Sequence, residues 1–183
     1  MVFPVVSLLA RVLPPTIHPM ILHFPIVLLY VTAGIDVLGR LLPDRDRFLQ
    51  RTGFWSLTLA CFFTVLTMSV GLISEQSVHW SVQTRAILEQ HQHFAVLTGL
   101  AEGTAWLLRV GTSFSDRGGW HLFGRGRGTW ISTAFVVAAV VCVTLTASLG
   151  GKMVYDHGAG VLGVTRGPLA AAGASGGSQA PVA

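Results

Sequence analysis

TWISTAFVVAAVVCVTLTASL, residues 129–149, runs without a single charged side chain. A helix rises about 1.5 Å per residue, so about 20 apolar residues cross a hydrocarbon layer roughly 30 Å thick. This stretch meets that requirement alone, and it directs the reading of everything around it. Three more segments reach the same length: residues 19–42, 52–74 and 91–110, the last being the most polar of the four.

Composition agrees. Of 183 residues, 51% are hydrophobic and 11% charged, with a mean hydropathy of +0.63; soluble domains carry about 25% charged residues. A disordered chain, a coiled coil and a water-soluble globule are excluded, and the length allows one compact membrane domain. The net charge of +4 comes without a stripe of Arg interleaved with stacking aromatics, so no nucleic-acid partner is expected. Cys61 and Cys142 lie in apolar stretches with no CxxC pair and read as small packing residues. Residues 1–17 lack the basic start and cleavage site of a signal peptide. They read as an interfacial lead-in that stops at Pro14-Pro15. The tail PLAAAGASGGSQAPVA cannot bury a core, so residues 165–183 are expected to be a flexible extension. The fold expected for residues 18–164 is all-α: an integral membrane four-helix bundle with up-down connections.

The few charges orient it. Arg40, Arg45, Arg47 and Arg51 follow the first span, and Arg109, Arg117, Arg125 and Arg127 follow the third. Arg11, Arg85, Lys152 and Arg166 fall on the other side. The positive-inside rule makes the first set cytoplasmic, so both termini face outward in the lipid bilayer.

That threading gathers six of the seven histidines at the outer face. His18 and His23 open the first span, and His91 and His93 the third. His79 lies between the second and third, and His157 just beyond the fourth; His121 is on the inner side. A lone interfacial histidine is ordinarily a hydrogen-bonded surface residue. Four helix-end histidines converging, namely His18, His23, His91 and His157, point instead to a nitrogen-rich metal or haem site. Two imidazoles from different helices, on opposite sides of a flat macrocycle, make a b-type haem. Phe24, Trp80 and Phe94 are candidates for its apolar wall, though core packing is their default explanation.

Helical phase sorts these further. His91 and Glu102 are 11 residues apart, three turns plus about 20°, so they share a face with Thr98 nearby. An acid inside a span faces the protein interior, and His91 should look inward with it; His93 is turned about 200° away. His23 and Tyr30 share a face on the first span. Pro25 deprives a carbonyl near Ile21 of its partner and bends the helix beside His23, which demands a packing or ligand reason. Asp36 reads best as solvated or paired with Arg40 or Arg109, while Glu102 stays open between such a pairing and a proton path. Gly150-Gly151 is expected to end the fourth span in a tight turn that folds His157 over the bundle mouth.

His18-Pro19 followed by His23-Phe24-Pro25 resembles the opening signature of a bacterial membrane family called domain of unknown function 2231. Thr84-Arg85, then His91, then Leu107-Leu108-Arg109 agree. The ending from Gly150 to Gly158, GGKMVYDHG, resembles that family's Gly-Gly-x-x-Val-Tyr-x-His-Gly close. The likeness covers about residues 17–164. It implies a four-helix membrane bundle in the bacterial inner membrane, and His18, His23, His91 and His157 as the positions of interest. Relatives fused to or beside Rieske, rubredoxin-like and cytochrome c modules imply a redox role. No soluble redox module follows the fourth span here, so electrons would pass to a separate partner, of Rieske or cytochrome c type, or to other membrane subunits of a redox complex.

The expectation is therefore a membrane electron-transfer subunit holding haem b near the outer face. His23 and His91 are the expected iron ligands, with His18 and His157 as a second pair or as their support. Quinone chemistry beside the haem is possible, with Glu102 or Tyr30 handling protons. Two alternatives stand: a structural or assembly subunit without a cofactor, and a copper- or zinc-binding membrane protein. No nucleophile constellation, phosphate loop or paired carboxylates at one depth suggest independent turnover.

Overall fold

A computed structural model of the chain describes residues 17–42, 48–75, 82–118 and 127–159. Among these there are helices and short turns but no strand. A short helix, α1 (Ile17–Ile21), leads into α2 (His23–Leu41), followed by α3 (Phe48–Glu75), α4 (Val82–Gly118) and α5 (Arg127–Tyr155). Neighbours in sequence pack together, α5 returns to α2, and α1 lies on α3, so the four long helices close into a ring. This is the expected up-down bundle. The lead-in before Ile17, the tail, His79, Trp80 and His121 lie outside the described residues.

Small and medium apolar side chains make the seams. Leu29, Leu57, Ala60, Ala105, Val136 and Ala139 are fully buried, with Val143 beside them. In lipid there is no water to drive helices together, and close backbone approach through small residues supplies the packing instead. The large apolar side chains point outward: Trp55, Phe62, Val65, Leu100, Leu107 and Trp130 are all exposed. Buried hydroxyls bind across the seams, Thr32 to Ser56 at 2.9 Å and Ser132 to the Ala105 carbonyl at 3.0 Å.

Three stretches are long and apolar enough to cross a membrane: Ile17–Leu41, Phe48–Glu75 and Trp130–Tyr155. The remaining segment read as a span, residues 91–110, lies in α4, which packs with them in the bundle. α4 is long but carries Glu102 and Arg109 along the stretch read as a span, and it turns both toward its neighbours. Arg109, counted above with the loop charges, is inside the bundle. Its Nη2 meets Asp36 Oδ2 at 2.5 Å, the two side chains being 13% and 10% exposed. Thr133 donates to the same carboxylate oxygen at 2.8 Å, and Arg109 Nε donates to Ser132 at 2.9 Å. Arg40 closes the cluster, donating to the Asp36 carbonyl and to Thr133 while its guanidinium lies 4.4 Å from the Trp130 ring centroid. Gly53 makes the room: a Cβ there would come within 3.4 Å of both Arg109 Nη1 and Asp36 Oδ1.

Two boundaries also differ from the sequence reading. α4 continues past residue 110 to Gly118, and α5 runs straight through Gly150-Gly151 to Tyr155. Glycine in a membrane helix is tolerated because neighbouring helices hold its backbone in place. The turn comes later, at Gly158, whose φ of +64° suits a residue without Cβ and lets its N–H reach the Val154 carbonyl at 3.0 Å.

Removing one member of the buried pair leaves the other charge unmet, at a cost of about 3–5 kcal/mol. Arg109→Leu and Asp36→Leu are each expected to lower the unfolding midpoint in detergent sharply, and the double variant to recover most of the loss. Equal midpoints for the wild type and both single variants would remove the pair from the stability of the bundle.

Candidate functional site

The inward position at the histidine end belongs to His18. Pro25 has no N–H to give the Ile21 carbonyl, and the regular helix is interrupted for one residue at Leu22, whose backbone stays helical with its N–H on the His18 carbonyl at 3.1 Å. The short α1 lies on α3. His18 Nδ1 reaches the Thr67 carbonyl of α3 at 3.2 Å. His91, on α4, reaches across to α5 in the same way, Nδ1 to the Thr146 carbonyl at 2.9 Å. Both rings are half-buried, and they lie close enough for a charge on one to be felt at the other.

A carbonyl oxygen only accepts, so in each ring Nδ1 must carry the hydrogen. In the neutral imidazole this leaves Nε2 with a free lone pair, the arrangement by which ligating histidines are oriented. The two rings thus present the same atom in the same protonation state.

The helices that receive them repeat one device. His18 stands over Gly71, where a Cβ would come 3.0 Å from its Cε1, and His91 stands over Gly150, where a Cβ would come 3.4 Å from its Cε1. Each glycine lies four residues after the threonine whose carbonyl is used. A helical side chain covers the turn on its N-terminal side, so a glycine at that position uncovers the carbonyl and lets a ring approach. The residues read Thr67-Met-Ser-Val-Gly71 and Thr146-Ala-Ser-Leu-Gly150. This shared T-x-S-x-G was the available signal for the receiving side, and a search for ligating side chains passes over it. The Thr67 hydroxyl is itself buried with no partner among the described residues.

The other expected positions fall elsewhere. His23 is exposed, and its Nδ1 meets the Pro19 carbonyl of its own chain at 2.7 Å. Its ring is thus engaged by a carbonyl one turn back in its own segment. His23 and Tyr30 do share a face, but it is the outward one; Tyr30 hydrogen-bonds Thr144 of α5 at 2.8 Å. His157 lies exposed in the turn after α5, and His93 is exposed on α4. Phe24 stacks on Phe63 with ring centroids 4.8 Å apart, and half of it is exposed. Thr98 and Glu102, on the face assigned to His91, are 3% and 2% exposed. The half-buried histidines at this end are therefore His18 and His91, each bonded to the next helix, while His23 is exposed and bonded within its own segment.

No curated protein and no solved structure matches the chain. A family model described as a predicted membrane protein, DUF2231, matches residues 14–163, a range that takes in α1 to α5 and both receiving motifs. The chain belongs to the DUF2231 family of membrane proteins.

Proposed function

We propose that the chain is a membrane electron-transfer subunit that holds a b-type haem through His18 and His91. The observation that carries this is the matched pair of imidazoles, each tied through Nδ1 to a carbonyl of the next helix and each left with Nε2 available. Among the described residues no group of three or more His, Cys, Asp or Glu could hold a metal ion. Zinc and copper sites take three or four such ligands; two imidazoles suit an iron whose other ligands come from a macrocycle. The unpartnered Thr67 hydroxyl beside His18 is a polar group that a bound molecule would satisfy. Haem bound there supplies one-electron chemistry. The chain's own residues fix the rings: Thr67 and Thr146 orient them, and Gly71 and Gly150 give them room.

Placement follows from charge. With the Arg-rich ends inward, α4 crosses beside the three apolar spans in the bacterial inner membrane and the His18–His91 end faces outward. Electrons then exchange with a separate partner there, a periplasmic protein of Rieske or cytochrome c type or another subunit of a redox complex. A second reading has its own support: the same two bonds tie α1 to α3 and α4 to α5, which suits a structural subunit whose histidines act as clamps.

Reduced-minus-oxidised spectra of protein purified from haem-replete membranes test this. Soret and α bands are expected in the wild type, in His23→Ala and in His157→Ala, and are lost in His18→Ala and His91→Ala. Stoichiometric copper or zinc in a colourless protein would overturn the haem assignment. Loss of stability in the His18 and His91 variants, with no cofactor in the wild type, would leave the clamp reading.

The supporting glycines give an independent check. Gly71→Val should drive the His18 ring off Thr67 and weaken haem retention about 10- to 100-fold, as loss of ligand support does at metal sites. Gly34→Val, where an added Cβ meets nothing within 4 Å, should leave it unchanged.

A further inference from the structure

Between α3 and α4, away from the histidines, lies a groove of about 300 Å³ lined by Cys61, Thr64, Val65, Met68, Glu102 and Gly103 among others. Its rim faces lipid: Val65, Val96 and Leu100 are 66%, 47% and 62% exposed. Its floor is polar. Glu102 is 2% exposed and Thr64 6%, yet Glu102 Oε2 and the Thr64 hydroxyl have no partner among the described residues. The bundle pairs Asp36 with Arg109 inside the membrane; here Glu102 and Thr64 face each other, yet neither Glu102 Oε2 nor the Thr64 hydroxyl has a well-formed hydrogen bond among the described residues. Buried polar groups are otherwise hydrogen-bonded in the great majority of cases.

We propose that this groove binds the uncharged head of a membrane-dissolved carbonyl or hydroxyl compound, of the quinone or isoprenoid alcohol kind. Depth decides the class of ligand. Glu102 lies 11 residues from His91 and 7 from Arg109, about 16 Å and 10 Å along the helix, so it sits within the hydrocarbon layer. Phosphate and carboxylate headgroups stay at the interface; a head that reaches this depth must be neutral. An ionised carboxylate with a bare oxygen there is too costly, so Glu102 acts as a carboxylic acid, with one O–H to donate and one oxygen to accept. Together with the Thr64 hydroxyl, contributed by the other helix, it offers hydrogen bonds at the floor, beneath an apolar rim that suits a flat ring or a prenyl chain. Gly103 keeps the space open, since a Cβ there meets nothing within 4 Å. The site shares no residue with the His18–His91 pair and does not depend on what that pair holds.

The test uses the full chain in lipid nanodiscs, titrated with a one-isoprene ubiquinone and, separately, with farnesol. Saturable binding above that of protein-free nanodiscs is expected for at least one probe, with a shift of the carboxylic C=O infrared band that is absent from Glu102→Leu. If only the quinone saturates, the occupant is a quinone; if both saturate and compete, the shared neutral head is what is recognised. Gly103→Leu places a side chain in the groove, where its Cβ meets nothing within 4 Å, and should weaken binding at least tenfold. Two results overturn the proposal: binding no greater than in empty nanodiscs, or affinity unchanged in both Gly103→Leu and Glu102→Leu. Gly99 and Gly103 also have the four-residue spacing by which two membrane helices pack closely. A dimer that Gly103→Leu converts to monomer, with no probe binding, would assign the groove to a second copy and overturn the proposal as well.

Discussion

A polar group inside a membrane has no water to turn to, and each one left unmet costs several kcal/mol. Most of the arrangement of this bundle answers that constraint. α4 carries Glu102 and Arg109 in a stretch that would otherwise be apolar, and these groups dictate which side of the helix turns inward. Arg109 finds Asp36 of α2 and Ser132 of α5, so one side chain joins three helices. Thr133 donates to the same carboxylate oxygen, and Arg40 to the Asp36 carbonyl. The rotation of α4 about its own axis is set by that pairing, and the same rotation brings His91 inward at the other end.

The histidine end obeys the same rule with different means. Its acceptors are main-chain carbonyls, which in a regular helix are already bonded and screened by the side chain four residues on. Glycine at positions 71 and 150 removes the screen, and the second lone pair of each oxygen becomes available. The arrangement sacrifices some helix propensity in α3 and α5 and gains two rings held in one tautomer. The outward-facing His23 also meets a carbonyl, that of Pro19 one turn back in its own segment.

Against this background the Glu102 groove is the exception. Along one helix, Arg109 is satisfied by side chains and His91 by a carbonyl, while Glu102, between them, keeps a bare oxygen beside a bare threonine hydroxyl. Three depths of α4 thus carry three kinds of polar group: an aromatic nitrogen pair at one end, an acid facing an open groove, and a closed ion pair at the other end.

Much of this was legible in the chain itself. Apolar length marks α2, α3 and α5 as spans, and the sparse charges give a threading that puts His18 and His91 at one end. Helical spacing places His91 with Thr98 and Glu102 on one face, and His23 with Tyr30 on another, because the angle between two residues of one helix depends only on their separation. That spacing says nothing about which neighbour a face meets. An acid on the face settled the matter for His91; His23 had none, and its face turned out to be the exposed one. The inward place of His18 rather than His23 came from the packing of α1 on α3, and the receiving carbonyls of Thr67 and Thr146 are main-chain atoms that no residue type announces. Periodicity along each helix was a property of the sequence; the rotation of each helix against its neighbours, and with it the site, was decided by packing.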